Sequence, residues 1–112
     1  MDQQKCREEI ESILKDETPT IENLNELKYL EMCIFEAMRL YPTVPVFMRQ
    51  LGEKVQFGDF KVPKNSTIII FPYYVHRHVK TFKDAEKFDP LRFAREEKLN
   101  PYAFLSFANG PR

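Results

Sequence analysis

The sequence predicts an α+β chain: two N-terminal helices, a small β-sheet and a C-terminal meander rich in aromatic residues and proline. Three observations lead to this prediction. Apolar residues recur with helical spacing as far as Leu40, and β-branched and aromatic residues then dominate as far as Phe71. No period remains after Asp89. The 112 residues suffice for one small domain or for part of a larger one.

The first helix is predicted over Asp2–Lys15. Its apolar residues recur at intervals of three and four, with charged residues between them, so they form one stripe along the helix. The members of this stripe are Cys6, Ile10, Ile13 and Leu14. Because a single apolar stripe does not stabilise an isolated helix, this helix must pack against another element.

The second helical segment is predicted between Thr20 and Leu40. Thr20 is a candidate cap, and Asn23 with Glu26 three residues later offers a second capping pair. Pro42 ends the segment, because a helix does not continue through the residue before a proline. The expected apolar stripe consists of Leu27, Leu30, Ile34, Met38 and Tyr41.

Extended structure is predicted after this helix. Val44–Arg49 is expected to be extended, with Pro45 restricting it to an edge or irregular strand. Apolar alternation between residues 55 and 62 predicts a hairpin around Gly58-Asp59. Thr67–Phe71 is the strongest strand, because it is β-branched and apolar. These strands predict a small mixed or antiparallel sheet.

The last third of the chain is predicted to be irregular but ordered. Pro72 begins a short helix to about His78, and Asp84–Lys87 forms one helical turn. From Asp89 to Arg112, prolines and aromatic residues alternate without a period, which predicts a meander held in place by its aromatic rings.

Composition and residue spacing argue against several classes of binding site and partner. Lys plus Arg equal Asp plus Glu at 17 each, so charge gives no reason to expect a nucleic-acid partner. No stretch approaches the roughly 18 apolar residues that a membrane-spanning helix needs. Cys6 and Cys33 have neither metal nor redox spacing and are expected to be reduced thiols. His76 and His78 lack a third ligand at a suitable spacing, so hydrogen-bonded or surface histidines are expected.

Glu36 and Arg39 are the most informative charged residues. They lie three positions apart on one helix face and can bond each other. If the pair is buried, its remaining hydrogen bonds must be satisfied, which demands a third partner. Arg92 is the candidate, because it lies between apolar neighbours where an unpaired charge would be costly. We expect Glu36 to accept bidentate bonds from both guanidinium groups in a structural role; the alternative is an ordinary surface ion pair.

Two further segments are candidates for anion binding. Arg49 follows an apolar run and can reach an anionic group, or it is a solvated arginine at a strand end. In the last six residues, Gly110 permits a tight turn and Arg112 can bind a carboxylate or phosphate, although by itself this segment is a generic turn.

Three motifs, taken in order, carry a resemblance. Glu36-x-x-Arg39, Phe88-x-Pro90-x-Arg92-Phe93 and Phe107-x-x-Gly110-x-Arg112 resemble the C-terminal part of a cytochrome P450, a heme-thiolate monooxygenase of mainly α fold. The resemblance covers residues 1–112, from the J helix to the start of the heme-binding loop, and implies a partial domain truncated at both ends. The amino-acid sequence is most similar to the family-4 group, which is associated with oxidation of fatty acids, lipids and xenobiotics.

The resemblance implies roles for the charged residues. Glu36, Arg39 and Arg92 match the family's structural triad, which stabilises the core beneath the heme. Arg49 and Arg112 match positions that bind the heme propionates.

It also implies roles for apolar residues. Phe107 and Gly110 belong to the heme-binding loop. Val44, Val46 and Phe47 match a segment that lines the substrate pocket. No metal ligand is expected within the chain, because the axial cysteine of the pattern lies beyond Arg112.

The implied cofactor is heme b, with NADPH-derived electrons delivered by a reductase of the cytochrome P450 type. The implied reaction inserts one oxygen atom of O2 into an apolar small molecule, at the cytoplasmic face of the endoplasmic reticulum or in the mitochondrion. Membrane attachment is expected through a missing N-terminal anchor. Residues 1–112 alone are expected to be inactive. The competing hypotheses are a self-contained, non-catalytic α+β interaction module and a truncated pseudoenzyme.

Overall fold

A computed structural model describes residues 1–15, 18–94, 100 and 102–108. Its elements are four α-helices, four strands and a 3₁₀ helix near the C-terminus of the described part. In chain order they are α1 (Asp2–Leu14), α2 (Ile21–Glu26), α3 (Lys28–Leu40), β1 (Phe47–Gln50), β2 (Val55–Phe57), β3 (Phe60–Val62), β4 (Thr67–Ile70), α4 (Pro72–Val75) and the 3₁₀ helix (Pro90–Phe93). Within these residues the structure has the α+β character that the sequence predicts.

Helix α1 packs against α3, as its single apolar stripe requires. Glu9 contacts the first turn of α3, whereas Cys6 contacts Cys33 one turn further along it, so the two helices run in opposite directions. The helix ends at Leu14, and the next residue, Lys15, caps it in a left-handed backbone conformation with φ of 47°.

Thr20 caps α2 as predicted. Its Oγ1 accepts from the Asn23 N–H at 3.3 Å, and Asn23 Oδ1 accepts from the Thr20 N–H at 3.1 Å. The predicted second capping pair, Asn23 with Glu26, is wrong because the Asn23 side chain is already used in this reciprocal cap. The helix also breaks at Leu27, with ψ of 65°, so that α2 and α3 are separate helices.

The predicted stripe on the second helical segment is only partly right. Leu27 is buried, but Ile34 is 49% exposed and Tyr41 is 77% exposed. Tyr41 lies just past the end of α3 in a non-helical backbone conformation, so the helical period no longer directs its side chain. The residues of α3 that are buried are instead Glu36, Arg39 and Leu40.

The strands form two separate antiparallel pairs instead of one sheet. In the first, β1 pairs with β4, with Phe47 opposite Ile70. In the second, β2 and β3 form the predicted hairpin, in which Gly58 has a φ of 56° that favours glycine. The two ladders share no strand.

The segment after β4 differs from its prediction in three places. Helix α4 ends at Val75, earlier than His78. Asp84–Lys87 is a hydrogen-bonded turn, not a helical turn, since Asp84 has a φ of 50°. The meander contains the 3₁₀ helix, which begins at Pro90, where the fixed φ of proline suits a first helical position.

The core lies where the 3₁₀ helix packs against α3. Phe35, Phe93 and Phe104 form an aromatic cluster with ring centroids 5.2 to 5.8 Å apart. A separate buried cluster consists of Phe82 and two alanines. The rings thus hold the described part of the meander against the buried face of α3. Within the described residues, no helix is long and apolar enough to cross a membrane.

Candidate functional site

A buried ion-pair network lies between α3 and the 3₁₀ helix. Glu36 and Arg39 are fully buried and make a bidentate pair, with Nε to Oε2 at 2.7 Å and Nη2 to Oε1 at 2.8 Å. Arg92 joins them, with Nε donating to Glu36 Oε1 at 3.0 Å. The structure therefore brings the three side chains together. Arg92 donates one bond to Glu36 instead of the expected two, because its Nη atoms face backbone carbonyls.

Backbone groups satisfy the remaining hydrogen-bonding positions of the Glu36–Arg39 pair. Glu36 Oε1 also accepts from the Asp89 N–H at 2.9 Å. Arg39 donates from Nη1 to the His76 carbonyl at 2.9 Å and from Nη2 to the Lys87 carbonyl at 3.3 Å. A buried charge is tolerated only with such saturation. The pair therefore fixes the backbone of two segments that are distant in sequence.

Arg92 binds the turn that precedes the 3₁₀ helix. Its Nη1 donates to the Lys83 carbonyl at 2.8 Å, and its Nη2 donates to the carbonyls of Asp84 and Lys87, both at 3.2 Å. Two guanidinium groups face one carboxylate in this network, so the carbonyl dipoles compensate the excess positive charge. Through these hydrogen bonds, Arg92 joins the turn at residues 83–87 to the ion-pair network.

His76 links the ion-pair network to the backbone of Leu105. It is fully buried and stacks on Phe104, with ring centroids 5.2 Å apart. Its Nδ1 lies 3.2 Å from the Arg39 carbonyl, and its Nε2 accepts from the Leu105 N–H at 2.7 Å. Both contacts are satisfied by a neutral ring that carries its proton on Nδ1.

Burial lowers the pKa of His76, and the charges of Arg39 and Arg77 act in the same direction, whereas the bond to the Arg39 carbonyl opposes them. The sequence indicated a hydrogen-bonded or surface histidine, but it gave no signal for these two partners. Among the described residues, no cluster of three or more metal-ligating side chains is present.

A cavity of about 470 Å³ lies between the start of β1 and residues 105–108. Its walls are mainly apolar, and this size is within the usual range for ligand sites. The lining residues are Thr43, Val44, Phe47, Arg49, Leu105, Ser106, Phe107 and Ala108. The fold therefore brings together most of the candidate binding residues from two distant segments.

Among the described candidates, Val46 is not brought to this cavity. It is 42% exposed and does not line it. Gly110 and Arg112 lie outside the described residues. The predicted substrate segment thus contributes Val44 and Phe47, and the predicted loop contributes Phe107.

Arg49 is the ionisable group among the described lining residues. It lies on β1, opposite Ile68, and its guanidinium is 5.4 Å from the centre of the Phe47 ring. Among the described residues, no acidic side chain forms an ion pair with Arg49. An exposed guanidinium beside an apolar cavity can bind the carboxylate of an otherwise apolar molecule.

Ser106 is a lining residue that the sequence reasoning missed. Its hydroxyl is buried and has no hydrogen-bond partner among the residues that the structure describes. An unsatisfied buried hydroxyl is costly, so it marks a place where a polar partner would be stabilising. The signal in the sequence was a single hydroxyl residue between Leu105 and Phe107.

Comparisons with known proteins show which family the chain resembles. The family model described as Cytochrome P450 matches residues 2–112. The chain is 46% identical to "Probable cytochrome P450 4aa1" of Drosophila melanogaster over 114 aligned positions, 43% identical to "Cytochrome P450 4B1" of Homo sapiens and 40% identical to "Cytochrome P450 4V2" of Mus musculus. In each case the match covers 98% of this chain and 22% of the relative, so the chain spans about a fifth of the length of these relatives.

Proposed function

The chain belongs to the cytochrome P450 family, and from this premise we propose that it contributes one wall of the heme and substrate site of a monooxygenase. The observation that carries the proposal is the cavity between β1 and residues 105–108, in which Arg49, Phe47 and Phe107 meet. The three relatives carry family-4 names, which supports the assignment of the parent enzyme to the family-4 group of cytochromes P450.

The described residues fit a heme. The cavity offers mainly apolar walls for a flat macrocycle, one guanidinium for a carboxylate, and the Ser106 hydroxyl, which no described residue bonds, for a further polar contact. When bound through a cysteine thiolate, heme supplies the oxygen-activating chemistry, with electrons from NADPH through a reductase. The chain's own residues contribute binding, orientation and shielding from water.

Arg49 is proposed to bind a heme propionate. Its guanidinium has no acidic partner in the described part of the chain, and a carboxylate supplies the charge-assisted bonds that match its planar donors. Arg112 is proposed to bind the other propionate. Phe107 and Gly110 are assigned to the heme-binding loop, and Phe107 is the member of this pair that lines the cavity.

The proposed role of Glu36, Arg39 and Arg92 is structural. Their hydrogen bonds to the backbone of His76, Lys87 and other residues tie α3 to the turn before the 3₁₀ helix. These groups do not line the cavity. The network therefore acts on the site through the backbone that it fixes.

The proposed substrate is an apolar small molecule such as a fatty acid, another lipid or a xenobiotic. Val44 and Phe47 line the cavity and provide apolar contacts. Val46 remains a predicted contact, because a full-length enzyme contributes further walls. Attachment to the cytoplasmic face of the endoplasmic reticulum through an N-terminal anchor is proposed from the family alone.

A reduced carbon-monoxide difference spectrum of the full-length protein tests the proposal. We expect a Soret band of the thiolate type, and oxidation of a fatty acid when reductase and NADPH are added. Residues 1–112 expressed alone should give neither. A full-length protein that folds but shows no thiolate band would favour the competing hypothesis of a non-catalytic interaction module.

A further inference from the structure

Two thiols from different helices face each other. Cys6 of α1 and Cys33 of α3 have their Sγ atoms 3.6 Å apart, and both residues are partly buried. A disulfide has a sulfur separation of about 2.05 Å, so the two atoms are roughly 1.5 Å from bonding distance. Side-chain rotation with a small shift of one helix can provide such a movement.

Contacts on both sides hold the two thiols in register. On one side, the Glu9 carboxylate accepts from the N–H groups of Tyr29 and Leu30 at 2.8 and 2.9 Å. On the other, the Tyr29 hydroxyl donates to Asp2 Oδ1 at 2.7 Å. These bonds join α1, on either side of Cys6, to the first turn of α3. The approach of the sulfurs is therefore a fixed feature of helix packing.

We propose that Cys6 and Cys33 are a site of covalent modification, at which a peroxide joins α1 to α3 through a disulfide. The balance is two thiols plus one hydrogen peroxide giving one disulfide and two waters. Each sulfur loses one electron and one proton, and both peroxide oxygens are reduced to water.

The reaction proceeds in two steps, beginning at Cys6. Burial, followed by the contact with Cys6, raises the pKa of Cys33 to about 12, so Cys33 remains a thiol at neutral pH. The Cys6 sulfur attacks peroxide and becomes a sulfenic acid, and the departing hydroxide takes the Cys6 proton as the first water. Cys33 sulfur then attacks the Cys6 sulfur, and the departing hydroxide takes the Cys33 proton as the second water.

The disulfide would connect α1 to the helix that carries Glu36 and Arg39. The two cysteines are 27 positions apart, so the bond closes a long loop in the unfolded chain. Because Cys33 lies three positions before Glu36, the bond constrains the N-terminal side of the ion-pair network. The proposal does not depend on bound heme.

The test is peptide mapping of the full-length protein after treatment with hydrogen peroxide. Remaining thiols are blocked, and the protein is digested without reductant and analysed by mass spectrometry. We expect a linked peptide containing Cys6 and Cys33, lighter than the two thiol peptides by two hydrogen atoms and at least tenfold more abundant than in untreated protein. Dithiothreitol should abolish it.

Three variants serve as controls. Cys6→Ser and Cys33→Ser should each remove the linked peptide. Cys6→Ser combined with Arg7→Cys keeps the number of thiols but moves one of them to an exposed neighbouring position on α1. We expect at least tenfold less cross-link to Cys33 in that double variant.

Other outcomes overturn the proposal. These are oxidation of Cys6 to sulfinic or sulfonic acid without a cross-link, a link that forms only between two protein molecules, and equal cross-linking after the thiol is moved to position 7.

Discussion

Arg92 Nε lies 3.0 Å from Glu36 Oε1, although the two residues are 56 positions apart in the chain. Glu36 is fully buried, and it also holds Arg39 in a bidentate pair. One carboxylate therefore connects α3 with the 3₁₀ helix that follows the turn at residues 84–87. The arrangement explains why a charged group occupies the buried face of an otherwise amphipathic helix.

Replacing Arg92 with alanine should destabilise the full-length protein by about 3–5 kcal/mol, because it leaves the buried Glu36 carboxylate with one cation fewer. The turn at residues 83–87 would also lose three hydrogen bonds from the guanidinium group. Urea denaturation and heme content measure the two effects. Lys28→Ala, which breaks an exposed ion pair, should change stability by less than about 1 kcal/mol. A stable, heme-loaded Arg92→Ala protein with only slower turnover would contradict the structural role.

The pH dependence of stability should report on His76. Its pKa is lower in the folded state than its ordinary value of 6.5, so the unfolded chain takes up a proton that the folded chain does not. The contribution of the neutral His76 ring to the free energy of unfolding is therefore complete above the ordinary pKa of 6.5. That contribution is lost as the pH falls from this value towards the lower pKa of the folded state. His76→Gln, which does not titrate, should show a flatter decline of Tm between about pH 7 and pH 5. Equal declines in both proteins would refute the assignment.

Removal of the Arg49 guanidinium should weaken heme binding while leaving the fold intact. A charge-assisted hydrogen bond contributes about 1.5–3 kcal/mol, which corresponds to roughly 10- to 150-fold faster heme loss from Arg49→Ala. Transfer of heme to apomyoglobin measures the rate. Lys61→Ala removes an exposed cation from the separate hairpin and should leave the rate unchanged. Heme loss at the wild-type rate in Arg49→Ala would exclude propionate binding by this residue.

Glu9 should stabilise α3 although it belongs to α1. Its two carboxylate oxygens accept the N–H groups of Tyr29 and Leu30, which have no partner within their own helix. Glu9→Ala should lower stability by about 0.5–2 kcal/mol, as loss of a helix cap does. Glu11→Ala, at an exposed position of the same helix, is the matched control for chemical denaturation. A similar loss in both variants would mean that Glu9 acts through α1 alone.

Local interactions made several features predictable from the sequence. The spacing of apolar residues gave α1, the Thr20 hydroxyl marked the start of α2, and Gly58 allowed the tight hairpin. Each depends on residues within a few positions of one another. The pairing of Glu36 with Arg92 was also predictable, because a buried charge needs a partner and few cations lie in apolar surroundings.

The sequence by itself thus determined α1, the start of α2, the hairpin, the three members of the ion-pair network and the family. Only the tertiary structure decided that Glu9 caps α3, that His76 joins Arg39 to Leu105, and that Arg49 and Phe107 line one cavity. The physical reason is that backbone N–H and carbonyl groups are the same at every position. Which distant side chain reaches a given backbone group depends on the tertiary arrangement, and such a single contact leaves no periodic signal in the sequence.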